Sequence, residues 1–155
     1  MPSPDLLAAL IRLKDKVPNL RAVIDHLPQM EYPTDPQALV QVDATLHELA
    51  KRPQIFVKPS EVARVDRKEF STELNFYRPR LDKLYDIFGP EKLIYASDWP
   101  NSDQWTQYPN VFHLYREYFF GKGQAVAEKF FWKNSVAAYK WVKRAPDQPS
   151  LHAAA

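Results

Sequence analysis

Three polar residues stand where apolar runs end: His26 in VIDHLP, Lys58 in FVKPSEVAR and Asp98 in YASDWPNSD. A histidine and an aspartate supplied from different strands can bind a divalent metal or position a water molecule. An unpaired carboxylate at the end of a core strand is costly. Asp98 therefore either caps the turn that follows or faces a site. His26 also reads as an imidazole hydrogen-bonded to backbone, and Lys58, just before Pro59, as a solvated strand end. What they share is position, and the elements between them explain it.

Ser3-Pro4-Asp5 opens a helix with a hydroxyl N-cap, a proline in the first turn and an acid. Leu6, Leu10, Leu13 and Val17 follow at helical spacing, and Pro18 closes the segment. Residues 20–26 read as a strand. Asp35-Pro36 opens a second helix with Leu39, Val42, Leu46 and Leu49 on one face, Lys51 and Arg52 in its last turn, and Pro53 as its stop. QIFVK is a second strand. A polar loop then leads to a helix carrying Tyr77, Leu81, Leu84 and Phe88, stopped by Gly89-Pro90. Residues 92–97 read as a third strand, and helices over 111–120 and 124–142 complete the order. Alternating strands and helices predict parallel strands joined by helical crossovers. His26, Lys58 and Asp98 are separated by 32 and 40 residues, about one strand–helix–strand repeat each. Loops after parallel strands converge at the carboxyl ends, so the three residues should share one rim.

Bulk properties narrow the function. A chain of 155 residues with 45% hydrophobic and 26% charged content fits one globular domain. Lys+Arg of 21 against Asp+Glu of 19 is too balanced to imply a nucleic-acid or membrane partner. The lack of cysteine excludes disulfides and thiolate ligands and leaves cytoplasm as the default location. Three glycines against fourteen prolines leave no Gly-rich phosphate loop.

VIDHLP, FVKPS and especially FGPEKLIYASDWPNSD resemble the last third of the amidohydrolase-related hydrolases, most of all the lactonase-type branch. KNSVAAYKW resembles the Asn-Ala pair near the C-terminus of that family. The resemblance implies an α/β fold: part of a (β/α)8 TIM barrel, about three parallel strands (the sixth to eighth) with flanking helices. Residues 1–145 would be the C-terminal part of the barrel and 146–155 a flexible tail. It also implies roles. Asp98 would be the general base toward a hydrolytic water, and His26 a metal ligand or carbonyl-polarising group. Where one divalent metal such as Zn is bound, His26 and Asp98 would hold it. Arg64, with Lys58 behind it, would bind a substrate carboxylate, since a guanidinium suits that group. The reaction implied is water attack on a lactone or amide carbonyl of a carboxylate-bearing small-molecule substrate.

The chain departs from the family pattern. Pro28 and Ala96 replace glycines, and no His-x-His occurs; the histidines are His26, His47, His113 and His152. His47 and His113 fall within helices and read as surface or packing residues. A whole barrel takes about 250 residues, so the expectation is a fragment with little or no activity alone. Such a fragment exposes an inner face and two edges, which predicts self-association through the open barrel face. Two other functions fit the same residues: a non-catalytic remnant that pairs through that face, and the zinc-using decarboxylase branch of the superfamily.

Overall fold

The computed structural model describes residues 2–30, 32–62, 70–71 and 73–148. Arg64 and His152 lie outside the described residues. Helix α1 (Pro4–Lys16) starts as predicted, with Ser3 Oγ accepting from the Leu6 N–H at 3.2 Å. Its buried face is rotated from the Leu6, Leu10, Leu13, Val17 stripe. Leu7 is buried and Leu10 and Ile11 pack on the core, whereas Leu6, Leu13 and Val17 are exposed. The rotated face takes in Lys14, whose Nζ donates to Pro18 O at 2.6 Å and to Leu20 O. Those carbonyls allow the ammonium to be buried.

Strands β1 (Ala22–Ile24) and β2 (Ile55–Val57) pair in parallel, with Val23 opposite Phe56. Helix α2 (Pro36–Ala50) makes the crossover between them, N-capped by Asp35 through Ala38 N–H at 2.8 Å. Because side chains alternate along a strand, the sheet has two distinct faces. Ile24, Ile55, Val57 and Leu93 join the main core with the helices, while Val23, Phe56 and Ile94 form a smaller cluster covered by Ala138.

The third predicted strand is reduced to one parallel bridge, Val57 to Leu93. The described sheet therefore has two strands where three were expected. Beyond the bridge, the C-terminal helical segment takes the backbone groups that a further strand would use. Tyr95 N–H donates to Phe130 O at 2.9 Å, and Leu93 O accepts from Asn134 Nδ2 at 2.8 Å.

Helix α3 (Leu74–Phe88) buries Tyr77, Leu81, Leu84 and Phe88 as the spacing predicts, and Gly89 ends it at φ 70°. Helix α4 (Tyr108–Gly121) begins three residues before the predicted start. The long last helix is composite: α5 (Gln124–Glu128), a π-helical turn (Lys129–Lys133) and α6 (Asn134–Tyr139). It stops before Trp141 because Lys140 turns left-handed at φ 50° and Trp141 N–H reaches back to Val136 O. No helix among the described residues is long and apolar enough to cross a membrane.

Candidate active site

Three residues just beyond the strand segments adopt left-handed backbone: His26 (φ 58°), Glu61 (φ 60°) and Asp98 (φ 59°). A side chain makes this conformation unfavourable, most of all for a residue such as Glu that is not enriched there. The surrounding contacts must hold it, and such outliers gather at functional sites. Here the three residues turn toward one another. His26 Nε2 is 3.9 Å from Asp98 Oδ1, and His26 Nδ1 is 3.8 Å from Glu61 Oε2.

The burial is graded. The Glu61 side chain is 4% exposed, Asp98 17% and His26 31%, so water reaches the imidazole while the glutamate forms the floor. Ser60 is buried beneath and fixes the ring. Its Oγ accepts from the His26 backbone N–H at 3.2 Å and lies 3.0 Å from Nδ1. A proton on Nδ1 donated to Ser60 leaves the Nε2 lone pair toward Asp98. The loop carrying Ser60 and Glu61 is tied down in turn by Tyr115, whose OH donates to Pro59 O at 2.5 Å. Burial above all, with Tyr95 and the Asp98 and Glu61 carboxylates nearby, pushes the Tyr115 hydroxyl well up. It stays a donor at any physiological pH.

The alternatives for Asp98 and His26 separate cleanly. The side-chain cap of the turn is made by Ser97, whose Oγ accepts from Trp99 N–H at 3.1 Å. The Asp98 carboxylate instead receives Asn101 Nδ2 at 2.7 Å, and the same amide nitrogen donates to Glu61 Oε1 at 3.1 Å. Among the described residues, the His26 ring meets Ser60. Lys58 is engaged elsewhere: it pairs with Asp25 at 3.1 Å and lies 5.7 Å from the Tyr139 ring centre. Burial alone would lower its pKa, but hydrogen bonds to Tyr139 and Asp25 outweigh this and the net shift is upward. His47 is a surface residue paired with Asp43.

Sequence reasoning missed Ser60, Glu61 and Asn101. Each lies within three residues of a polar residue it singled out, but a loop's polar side chains carry no periodicity to say which ones turn inward.

One imidazole nitrogen and one oxygen from each carboxylate lie within 4.8 Å of one another. Zinc binds such donors at about 2.0–2.2 Å, which sets neighbouring ligand atoms roughly 3.3–3.6 Å apart. A contraction of about an ångström would close the three around an ion, so this donor set fits a divalent metal.

Parallel strands, a helical crossover and polar residues at the strand exits make this an α/β arrangement. The model of the amidohydrolase family matches residues 3–141, and the chain belongs to that family. The chain is 30% identical over 121 residues to an L-fucono-1,5-lactonase of Burkholderia multivorans, covering 74% of this chain and 41% of that protein. Among solved structures it resembles an amidohydrolase from Burkholderia multivorans with bound Zn, at a TM-score of 0.73 and 23% identity over 90% of this chain and 51% of the other. It also resembles a structure assigned as a 2-pyrone-4,6-dicarboxylic acid hydrolase, from Pseudomonas putida, at a TM-score of 0.64 and 22% identity over 89% and 49%. These neighbours are amidohydrolase TIM barrels, and the chain shares the fold of about half of each. It spans about two fifths of the curated relative's length and about half of each solved one.

Proposed function

We propose that this chain carries the His26–Asp98 corner of a hydrolase that opens a lactone or cleaves an amide of a small carboxylate-bearing molecule. The observation that supports this most is the convergence of the two side chains, with Nε2 and Oδ1 3.9 Å apart at a partly solvated strand exit. Similarity to a sugar lactonase favours the lactone. The strands correspond on this reading to the sixth, seventh and eighth of the barrel, within a unit of residues 1–145.

Asp98 acts as general base. Its carboxylate takes a proton from water as the water oxygen bonds to the carbonyl carbon. When the tetrahedral intermediate collapses, the ring C–O bond breaks and the alkoxide recovers that proton from Asp98. His26 is exposed enough to meet substrate, and in the tautomer that carries its proton on Nε2, with Ser60 Oγ donating to Nδ1, it polarises the carbonyl oxygen. His26 and Asp98, with Glu61 as a third donor, would hold a divalent cation such as Zn. Bound there, it would supply Lewis-acid polarisation and a more acidic water. Arg64 is the candidate to meet a substrate carboxylate, with Lys58, held as a cation beside Asp25, behind it.

The test is hydrolysis of a panel of sugar lactones and pyrone dicarboxylates by the purified chain, with Zn supplied, beside Asp98→Asn and His26→Ala. The expected result is weak turnover that is lost in Asp98→Asn with the circular dichroism unchanged. Equal turnover in the variant would remove Asp98 from the role of base.

A further inference from the structure

One amide nitrogen serves both carboxylates of the site. Asn101 Nδ2 donates one proton to Glu61 Oε1 (3.1 Å) and the other to Asp98 Oδ2 (2.7 Å). The remaining oxygens, Glu61 Oε2 and Asp98 Oδ1, are the ones that face His26. The amide's own orientation is fixed from the far side, because Gln104 Nε2 donates to Asn101 Oδ1 at 3.2 Å. A flipped amide would set its oxygen against two carboxylates and its nitrogen against another N–H donor, so only one orientation satisfies all three neighbours. The turn Asn101–Gln104 supports this relay: Ser102 N–H bonds back to Asp98 O at 3.0 Å and holds Asn101 beside the aspartate.

We infer that Asn101 is a positioning residue that sorts the oxygens of Glu61 and Asp98, with Gln104 acting through it. Two carboxylates this close repel each other, and the bridging N–H groups offset the repulsion while leaving one oxygen of each turned to the imidazole. Without the bridge the shared N–H donor that sets these oxygens is lost and the three donors converge less well. The inference rests on the reading of His26, Glu61 and Asp98 as a cation site. Partners that orient ligating side chains typically change metal affinity by about tenfold to a hundredfold when removed.

The experiment is Zn²⁺ binding by the full chain, measured by competition with a chromophoric chelator, for the wild type, Asn101→Leu, Gln104→Ala and the double variant. Circular dichroism and the melting temperature are recorded alongside. Asn101→Leu should weaken binding about tenfold to a hundredfold, and Gln104→Ala by less. The double variant should be no weaker than Asn101→Leu, because Gln104 has nothing to orient once the amide is gone. Asn101→Ala replaces the leucine variant if the larger side chain disturbs the turn. Wild-type affinity in a folded Asn101 variant, or losses that multiply in the double variant, would overturn the positioning role. A wild-type chain that binds no Zn²⁺ would instead overturn the cation-site reading and, with it, this inference.

Discussion

His26 and Asp98 come from strand exits 72 residues apart in the chain, yet their Nε2 and Oδ1 atoms lie 3.9 Å apart and both backbones are left-handed. The side-chain cap of the turn at Asp98 comes from Ser97, and the Asp98 carboxylate lies toward His26. Unfavourable backbone and converging side chains go together at both residues.

Glu61 tests that trade most sharply. At φ 60° a glycine is at ease and a glutamate is not, so relief of the backbone should offset the lost hydrogen bond from Asn101, and Glu61→Gly should change stability by no more than about 1 kcal/mol. The same variant should bind Zn²⁺ much more weakly. Urea denaturation and metal titration on one preparation check both halves. A stability loss above about 1 kcal/mol would mean the glutamate supports the fold, not the site.

Ser60 has a separate task, to orient the imidazole. Ser60→Ala leaves the His26 backbone N–H without its 3.2 Å partner, at a cost of about 1–3 kcal/mol. It also frees Nδ1. Long-range nitrogen–proton NMR of the His26 ring should show the tautomer ratio change in the variant. An unaltered ratio would show that the ring is set by another group.

Asn134 ties the C-terminal helix to the sheet. Its Nδ2 donates to Pro90 O at 2.7 Å and to Leu93 O at 2.8 Å. Asn134→Ala strips buried carbonyls of a partner and should cost about 2–3 kcal/mol by denaturant titration. A change below about 0.5 kcal/mol would mean that water or another donor replaces the amide.

Tyr118 donates to Asp82 at 2.7 Å. This bond, ahead of the one from Lys122, holds the Asp82 carboxyl below its usual range. A depressed carboxylate pKa adds stability above the unfolded value of 3.8, and that stability is lost as pH falls through the folded pKa. Tyr118→Phe should therefore be less stable than the wild type by about 0.5–1.5 kcal/mol near neutral pH. The gap should close as the pH drops below that of carboxylate titration, read from melting curves at several pH values. A gap independent of pH would assign the loss to packing.

The order of elements was legible because caps and stops are local. Ser3, Asp35 and Gly89 each act within a turn of their own helix. The face of α1 was not legible, since two apolar rows share that helix and the chosen one contains Lys14, whose partners Pro18 and Leu20 are known only once the chain folds back. The third strand pairs with β2 only around Val57, and its apolar run gave no sign that Phe130 and Asn134 would take the backbone groups on its other edge. His26 and Asp98 were visible as polar ends of apolar runs. Glu61 was not, because a single residue at positive φ leaves no sequence pattern.

The most direct measurement is a crystal structure of the chain soaked in Zn²⁺, with the ion located by its anomalous signal. The account predicts one ion bonded to a His26 nitrogen and to oxygens of Asp98 and Glu61 at about 2.0–2.2 Å. An ion seated at His47 and Asp43 with these three side chains apart would contradict it.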